Sequence, residues 1–478
     1  MSDELAYLSA REAVDRFAAR RLSPVELMQA LLARAARLAP VYNATAAIHA
    51  ESALAAARAA EVRYMDGTAR PLEGVPVAIK EETAVRGWRR TIGSLMVDEV
   101  PAANHPIVDK LIDAGAIPHL QTTVPEFCVI PQTHSRRFGV TRNPWNPALT
   151  PGGSSGGSGA ALAAGLAPLS TGSDMGGSTR IPAALAGVYG YKPPFGRLAS
   201  TPGEELFAFA VEGPLARDFD DLVLMQNAIA GPHPASYTAM PYTPLPSRYP
   251  DLDGALLGLA LPASGRALCA DTRRNLEAAA AALAAHGARV EPVELDWDPA
   301  ALGDVLIEAI FGIYFDEFLQ PFNDWTLEQA TPYLRWLIGR YRGRRNSIMA
   351  AAKLASQLHQ ELEEKLWRRG AKALLCPTVL TTEVAADLDV SLERRVSIEG
   401  VPVDSYLGWV FTPPFNLLSR YPALAVPTGV AASGVPTSLQ IVGPPFDDEA
   451  VFEVAFHHRA AMGLDLYRDR FPRIPGPA

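Results

Sequence analysis

The chain has 478 residues, of which 48% are hydrophobic and 20% are charged, and its formal net charge is −9. This balance is typical of a folded globular protein and excludes a disordered or fibrous chain. The acidic charge argues against a nucleic-acid-binding protein, because phosphate contacts require a basic surface.

The cysteines, the N-terminal sequence and the apolar runs indicate the cellular compartment. Cys128, Cys269 and Cys376 are odd in number and far apart, so they predict neither a disulfide framework nor a C-x-x-C site. The N-terminal sequence MSDELAYLSAREAVDRF lacks the basic and then apolar plan of a signal peptide. No apolar run approaches the roughly 20 residues that span a bilayer. These features predict a cytoplasmic protein without a membrane segment.

The first predicted elements are two helices and a strand that is followed by a lysine. Ser23-Pro24-Val25-Glu26 has a cap residue, a proline at the first helical position and a glutamate at the third, which predicts the start of a helix. ESALAAARAAEVRYMDG predicts a second helix that stops at Gly67. GVPVAIK then predicts a buried strand over Val75–Ile79, which is followed directly by Lys80.

Helices and strands then alternate. HPIVDKLIDAGA predicts a helix ending at Gly115, and IPHLQTT predicts a strand. This alternation continues to about residue 230 and predicts a layered α/β core. Residues 231–254, rich in proline and polar residues, predict an irregular loop. Further on, GALLGLALP, ALLCPTV and YPALAVPTGV predict strands, and CADTRRNLEAAAAALAAHGA and VFEVAFHHRAAM predict helices.

The stretch from about 300 to 370 is helical and unusually aromatic. It is either an ordinary packed layer or the apolar lining of a substrate pocket. Its aromatic residues are Phe311, Tyr314, Phe315, Phe318, Phe322, Trp325, Tyr333 and Trp336.

The densest chemical signal is the segment TPGGSSGGSG at residues 150–159. A flexible linker is disfavoured, because the segment runs straight into a predicted helix. A phosphate-binding loop is excluded, since the required G-x-x-x-x-G-K-[ST] is absent. Gly153-Ser-Ser-Gly-Gly157 matches the nucleophile elbow G-x-S-x-G, but the proline-broken TRNPWNPALTP before it does not form the required strand.

A second glycine turn, TGSDMGGS, ends at Ser178. Small consecutive residues let backbone N–H groups converge, so those of Met175, Gly176, Gly177 and Ser178 are candidates for an oxyanion hole. A helix predicted to begin near Ser178 favours negative charge at its start. Ser178 is therefore the candidate nucleophile, and it requires a base.

Two residue types are candidates for that base. His134 is the only histidine near the site segments in sequence, and none of the histidines falls in a motif that suggests a triad. Lys80 ends a buried strand, where burial lowers the pKa of a lysine. From the pattern alone, an ordinary surface lysine at a strand end is the more usual interpretation.

Four long motifs together resemble the amidase signature family: GVPVAIKE, NPWNPALTPGGSSGGSGAALAAG, STGSDMGGSTRIPAALAGVYGYKP and FTPPFNLLSRYPALAVPTG with GVPTSLQIVG. The resemblance implies a Ser–cis-Ser–Lys triad with Ser178 as nucleophile, Ser154 as the bridging serine after a cis peptide, and Lys80 as a neutral base. It implies that Gly153 and Ser155 support the site, and Ser155, the next hydroxyl, is the alternative to Ser154 for the bridging role. Asp174 and Arg180 are interpreted as an ion pair that braces the glycine turn.

The resemblance also implies the architecture. We expect a central mixed, mostly parallel, twisted β-sheet flanked by α-helices, formed by a single amidase domain over residues 1–478. Within it we expect N-terminal helices at 1–70 and a catalytic core at 71–230. A variable loop and a helical substrate-pocket region follow at 231–375, and strands and a helix at 376–478 complete the core.

The function predicted from the resemblance is a free-standing serine hydrolase that cleaves C–N bonds of small aryl or aliphatic amides, or of carbamates (urethanes). The acidic surface and the aromatic stretch favour a neutral, apolar small molecule over tRNA. We expect no cofactor or metal, no nucleic-acid or membrane partner, and a monomer or homodimer. The alternative is an amidotransferase subunit that works only in a multisubunit complex.

Overall fold

A computed structural model describes residues 3–204, 207–262, 267–314, 324–342, 344, 347–469 and 472. The helices are α1 (Asp3–Ala6), α2 (Ala10–Ala18), α3 (Pro24–Tyr42), α4 (Ala50–Met65), α5 (Pro106–Asp113), α6 (Gly156–Ala163), α7 (Arg180–Ala186), α8 (Phe219–Ile229), α9 (Ala270–Ala285), α10 (Pro299–Tyr314), α11 (Asp324–Leu327), α12 (Pro332–Tyr341), α13 (Ser347–Lys365), α14 (Pro414–Leu417), α15 (Asp448–Met462) and α16 (Leu466–Asp469).

The strands are β1 (Thr45–Ile48), β2 (Pro76–Lys80), β3 (Ile117–Thr122), β4 (His134–Ser135), β5 (Gly139–Val140), β6 (Leu169–Asp174), β7 (Tyr189–Lys192), β8 (Val211–Ala216), β9 (Leu256–Leu259), β10 (Arg289–Pro292), β11 (Ala371–Pro377), β12 (Arg395–Ile398), β13 (Val401–Asp404), β14 (Ala423–Val430) and β15 (Pro436–Val442).

A central sheet organises the molecule. In the described residues its order is β1-β3-β2-β6-β8-β7-β14-β15-β11-β9-β10. The runs β3-β2-β6 and β11-β9-β10 are parallel, and the pairs between them are antiparallel. The predicted α/β fold, with a mixed sheet flanked by helices, is confirmed.

Alternation along the strands places an apolar core on each face of the sheet. On β11, Leu374 and Cys376 belong to one buried cluster, whereas Ala373 and Leu375 belong to another. This division follows from strand geometry, because successive side chains point to opposite faces. The strands are therefore apolar on both sides, as expected of a sheet covered by helices.

Local sequence signals determined several element boundaries. Ser23 caps α3 with a complete capping box to Glu26, and the helix begins at Pro24 as predicted. The predicted strand before Lys80 is β2, which is buried throughout. Residues 231–254 contain no helix or strand, which confirms the irregular loop. None of the described helices is both long and apolar enough to cross a bilayer.

The N-terminal helices are tied to the catalytic region by buried polar contacts. Arg34 on α3 is 5% exposed, and its Nε donates to the carbonyl of Ala164 at the end of α6, at 2.7 Å. Asp221 on α8 accepts from the backbone N–H of Ala10 at 2.7 Å and of Arg11 at 2.9 Å. We propose that residues 1–70 fold as part of one domain with the rest; the internal boundaries at 70, 230 and 375 stay a prediction.

Replacing Arg34 with methionine tests this integration. The change leaves the carbonyl of Ala164 without its buried donor, which typically costs about 1–3 kcal/mol. We expect Arg34→Met to lower the midpoint of urea unfolding, with the whole transition moving as one. Arg37→Met, on the exposed side of the same helix, is the matched control and should leave the midpoint unchanged. Equal midpoints for the two variants would contradict the proposal.

Candidate active site

Lys80 lies at the end of β2, where two parallel strands bring polar groups together. Its side chain is fully buried, and its backbone N–H donates to Thr171 Oγ1 on β6 at 2.9 Å. Lys80 Nζ donates to Ser154 Oγ at 2.8 Å and to Ser173 Oγ at 2.7 Å. The pairing of β2 with β6 therefore places the amine at the site predicted for it.

Lys80 is paired with a carboxylate that the prediction did not include. Glu82 Oε1 lies 2.8 Å from Lys80 Nζ, and the Glu82 side chain is only 16% exposed. Burial is the largest single influence on the pKa of Lys80 and lowers it, whereas Cys128 and Glu82 raise it, with a net upward shift. Burial raises the pKa of Glu82 and Lys80 lowers it, with a net downward shift. The prediction of a neutral lysine considered burial alone, whereas a carboxylate at this distance favours the ammonium.

The glycine–serine segment presents Ser154 to this lysine. The Gly153–Ser154 peptide is cis, and Ser154 is 1% exposed. A Cβ on Gly153 would lie 2.3 Å from the carbonyl oxygen of Gln132, so a larger residue does not fit. Ser155 Oγ lies 3.4 Å from the carbonyl of Ser173 instead of contacting the amine. Of the two neighbouring serines, Ser154 is thus the one in contact with Lys80.

Ser178 joins the site through its backbone. Its carbonyl accepts a hydrogen bond from the N–H of Ser155 at 3.2 Å, which ties the two glycine segments together. The residue is half-buried. In the described part of the chain no hydrogen bond links Ser178 Oγ to Ser154 or Lys80. Catalytic hydrogen bonds are often loose without substrate, so the nucleophile stays a prediction.

Asp174 and Arg180 form a fully buried, two-pronged ion pair beneath the glycine turn. Arg180 Nε and Nη2 each lie 2.9 Å from a different Asp174 oxygen. Asn416 Nδ2 donates to Asp174 Oδ1 at 2.9 Å, and Gln440 Oε1 accepts from Arg180 Nη1 at 2.8 Å. Every charged oxygen and several guanidinium hydrogens are thereby paired, as a buried charge pair requires.

The same carboxylate orients the turn that precedes Ser178. Asp174 Oδ1 accepts from the N–H of Gly177 at 2.8 Å. Gly177 has φ +121°, and a Cβ there would lie 2.0 Å from Thr412 Oγ1, so only glycine fits. Because its N–H is already used, Gly177 is a poor member of the predicted oxyanion hole. The N–H groups of Met175, Gly176 and Ser178 have no acceptor among the described residues.

A cavity of about 370 Å³ opens beside these groups. Ser154, Ser173 and Met175 line one end of it, together with the carboxylates of Glu82 and Glu212. The remaining wall is largely apolar, as in most small-ligand sites. Its apolar side chains are Phe127, Val129, Phe195, Leu198, Phe207, Ile310, Phe311 and Leu334.

The aromatic stretch contributes unequally to this wall. Phe311 lines the cavity, whereas Tyr333 is buried beside it, where its hydroxyl accepts from the N–H of Glu126 at 2.7 Å and donates to the carbonyl of His134 at 2.9 Å. His134 Nε2 contacts the carbonyl of Leu388, away from Lys80. Phe315, Phe318 and Phe322, and the side chains of Tyr314 and Trp325, lie outside what the structure describes.

Glu82 and Ser173 are the site residues that sequence reasoning missed. Ser173 was detectable from strand periodicity, because it follows Thr171, which contacts the Lys80 backbone, by two positions on β6, and such side chains point to the same side. Glu82 lies in the turn after β2, so strand periodicity does not predict its position. Its only signal in the sequence is an acidic residue two positions after a lysine that ends a buried strand.

Solved structures of amidases share this fold. A bacterial aryl acylamidase of the amidase signature family superposes with a TM-score of 0.86 at 24% identity, over 97% of this chain and 98% of that one. A peptide amidase from Stenotrophomonas maltophilia gives a TM-score of 0.78 at 26% identity, over 97% of this chain and 98% of that one.

Curated relatives are more similar in sequence. The A subunit of glutamyl-tRNA(Gln) amidotransferase from Dehalococcoides mccartyi is 34% identical in an alignment that covers 92% of this chain and 94% of the relative. The protein of the same name from Cupriavidus taiwanensis is 32% identical in an alignment that covers 96% of this chain and 97% of the relative.

These relatives contradict the predicted free-standing hydrolase of small amides, because they are subunits of an amidotransferase. They also contradict the predicted partners, namely a small-molecule substrate alone, no nucleic acid, and a monomer or homodimer. The prediction relied on a net charge of −9. Net charge averages over the whole surface and does not describe the one face that another protein or a substrate contacts.

The model of the family described as Amidase matches residues 26–452. This match covers the lysine, both glycine turns and the strands that position them. The chain is therefore an enzyme of the amidase signature family.

Proposed function

We propose that the chain is the amide-cleaving component of a multisubunit amidotransferase that acts on glutamyl-tRNA(Gln). The observation that carries the proposal is the 32–34% identity to the A subunits of that enzyme over more than nine-tenths of both chains. The 2.8 Å contact between Lys80 Nζ and Ser154 Oγ supports amide cleavage as the reaction of this chain.

In the proposed mechanism, Ser178 attacks the carbonyl carbon of a donor carboxamide. Its proton passes to Ser154 as the proton of Ser154 passes to the deprotonated amine of Lys80. Negative charge develops on the carbonyl oxygen, which accepts hydrogen bonds from the N–H groups of Met175, Gly176 and Ser178. Ammonia leaves with the proton returned through Ser154, and water later hydrolyses the acyl-serine.

We further propose that Asp174 and Arg180 act by positioning this turn. Asp174 holds the N–H of Gly177, and Arg180 holds Asp174, so the hydrogen-bond donors aimed at the oxyanion are fixed before substrate arrives. Preorganised donors stabilise the transition state without having to reorient during the reaction. Gly153 and Ser155 support the glycine–serine segment at residues 150–159: a side chain at 153 would meet the carbonyl of Gln132, and the N–H of Ser155 donates to the carbonyl of Ser178.

Removal of the nucleophile tests the chemistry. Full-length protein treated with an activated ester should gain one acyl group by intact mass, and Ser178→Ala should gain none. Ser154→Ala should slow acylation by about 100-fold or more, the usual contribution of proton transfer. Ser155→Ala is the matched comparison and should slow it much less, because its hydroxyl does not touch Lys80. Acylation of Ser178→Ala at the wild-type rate would reject Ser178 as nucleophile.

Membership of a multisubunit complex needs a separate test. Purified chain combined with the other subunits of a glutamyl-tRNA(Gln) amidotransferase should convert glutamyl-tRNA(Gln) into glutaminyl-tRNA(Gln), measured as the mass of the released amino acid. The same mixture with Ser178→Ala should not. Two results together would contradict the proposal. The chain would not assemble with those subunits, and it would turn over an anilide or a carbamate equally fast with and without them.

Replacing Asp174 tests whether its ion pair with Arg180 positions the turn before Ser178. Asp174→Asn leaves the Arg180 charge buried without its partner, a change that typically costs about 3–5 kcal/mol. We expect a lower thermal midpoint and slower acylation of Ser178. Asp98→Asn breaks a similar two-pronged pair with Arg89, but on the exposed surface, and should change neither property. Acylation of Asp174→Asn at the wild-type rate would show that the Asp174–Arg180 ion pair is not needed for positioning.

A further inference from the structure

Glu82, Ser173 and Lys80 form a closed triangle at the end of the cavity. Lys80 Nζ lies 2.8 Å from Glu82 Oε1 and donates to Ser173 Oγ at 2.7 Å. The hydroxyl of Ser173 in turn donates to the same oxygen of Glu82. Ser154 Oγ, at 2.8 Å from Lys80 Nζ, is the fourth member of the cluster, and among the described residues no hydrogen bond joins it to Glu82 or Ser173. The carboxylate thus contacts the amine separately from the hydroxyl whose proton the amine is to take.

We propose that Glu82 is a positioning residue for the amide-cleaving reaction: its carboxylate holds Lys80 as an ammonium in the resting enzyme and thereby sets the lowest pH at which acylation of Ser178 becomes fast. This inference rests on the proposed function, because it concerns the base of that reaction. It goes beyond it by assigning the acid–base regulation of the site to a residue outside the triad.

Lys80 must lose one proton before it can act as a base. Before acylation, an N–H bond of the Lys80 ammonium breaks and its proton passes to water or buffer in the cavity, while Glu82 stays a carboxylate. During attack, the O–H bond of Ser178 breaks and its proton passes to the oxygen of Ser154. The original O–H bond of Ser154 breaks at the same time, and its proton forms a new N–H bond on Lys80. One proton is therefore released per acylation before the ester or amide bond is attacked, and low pH opposes that release.

The other titratable groups around the triangle do not supply the negative charge. Burial raises the pKa of the Cys128 thiol, and Glu82 raises it further, so the thiol is neutral. Burial and then Glu82 raise the pKa of Glu212 well above the ordinary value, so this carboxyl holds a proton. Burial and then Arg90 lower the pKa of His105 to about 3, so its ring is uncharged.

Glu204 also lines the cavity and acts on Glu212. Among the described groups, Glu82 is the carboxylate in contact with Lys80 Nζ, and its own pKa is lowered, so it supplies the negative charge beside the amine. Because Lys80 is fully buried, removing that anion leaves burial as the dominant influence, and burial favours the uncharged amine.

The test is the pH profile of Ser178 acylation by p-nitrophenyl acetate, followed by intact mass on the full chain. In wild type the rate should rise with pH into the alkaline range. In Glu82→Gln the midpoint of that rise should move down by about one pH unit or more, the usual effect of an opposite charge at this distance. Glu82→Asp keeps the charge and should stay near the wild-type midpoint. Glu81→Gln, adjacent but bonded to Thr91, should leave the midpoint unchanged.

Two outcomes with a folded Glu82→Gln variant would overturn the inference. An unchanged midpoint would mean that Glu82 does not control the lysine. Loss of acylation at every pH would mean that Glu82 must itself accept a proton. A second measurement needs no variant at Glu82: in wild type labelled with 13C-lysine, one of six lysines, assigned by its absence in Lys80→Met, should remain an ammonium at pH 9. An uncharged Lys80 at that pH would also overturn the inference.

The two proposals fail in different ways. If Ser178→Ala is acylated as fast as wild type, the proposed chemistry fails whatever the pH profile. If acylation requires Ser178 but Glu82→Gln keeps the wild-type midpoint, only the role of Glu82 fails.

Discussion

A single buried ammonium is the constraint on which the rest of the site depends. Lys80 is fully excluded from solvent, and a charge in such a position is tolerated only if it is paired and hydrogen-bonded. Its three partners come from three segments: Glu82 from the loop after β2, Ser173 from β6 and Ser154 from the glycine–serine turn. The parallel pairing of β2 with β6 is what brings these segments to one point.

A second buried charge pair holds the opposite half of the site. Asp174 and Arg180 anchor the turn before Ser178 to α14 and β15 through Asn416 and Gln440. Buried ion pairs contribute little net stability, because desolvation offsets their attraction, but breaking one is costly. In this molecule the two pairs act mainly on geometry. In the proposed mechanism one orients a base, and the other orients backbone donors to the developing oxyanion.

The error about function has a physical source. Surface charge and an aromatic stretch describe average properties of the chain, and both are compatible with a pocket for an apolar substrate. Whether a face of the protein contacts another protein is not encoded in those averages. The catalytic motifs do not distinguish the two functions either, because the same amide chemistry serves a hydrolase and an amidotransferase. Relatives aligned over nearly the whole chain supplied the information that composition lacked.

The sequence by itself determined the local elements and the chemical motifs. The capping box at Ser23, the buried strand before Lys80 and the loop at 231–254 each follow from interactions within a few residues, so they are readable from the chain. Tertiary structure alone decided the charge state of Lys80 and the use of the Gly177 N–H. Both depend on a carboxylate brought within hydrogen-bonding distance in a buried site, and burial and distance are properties of the folded chain.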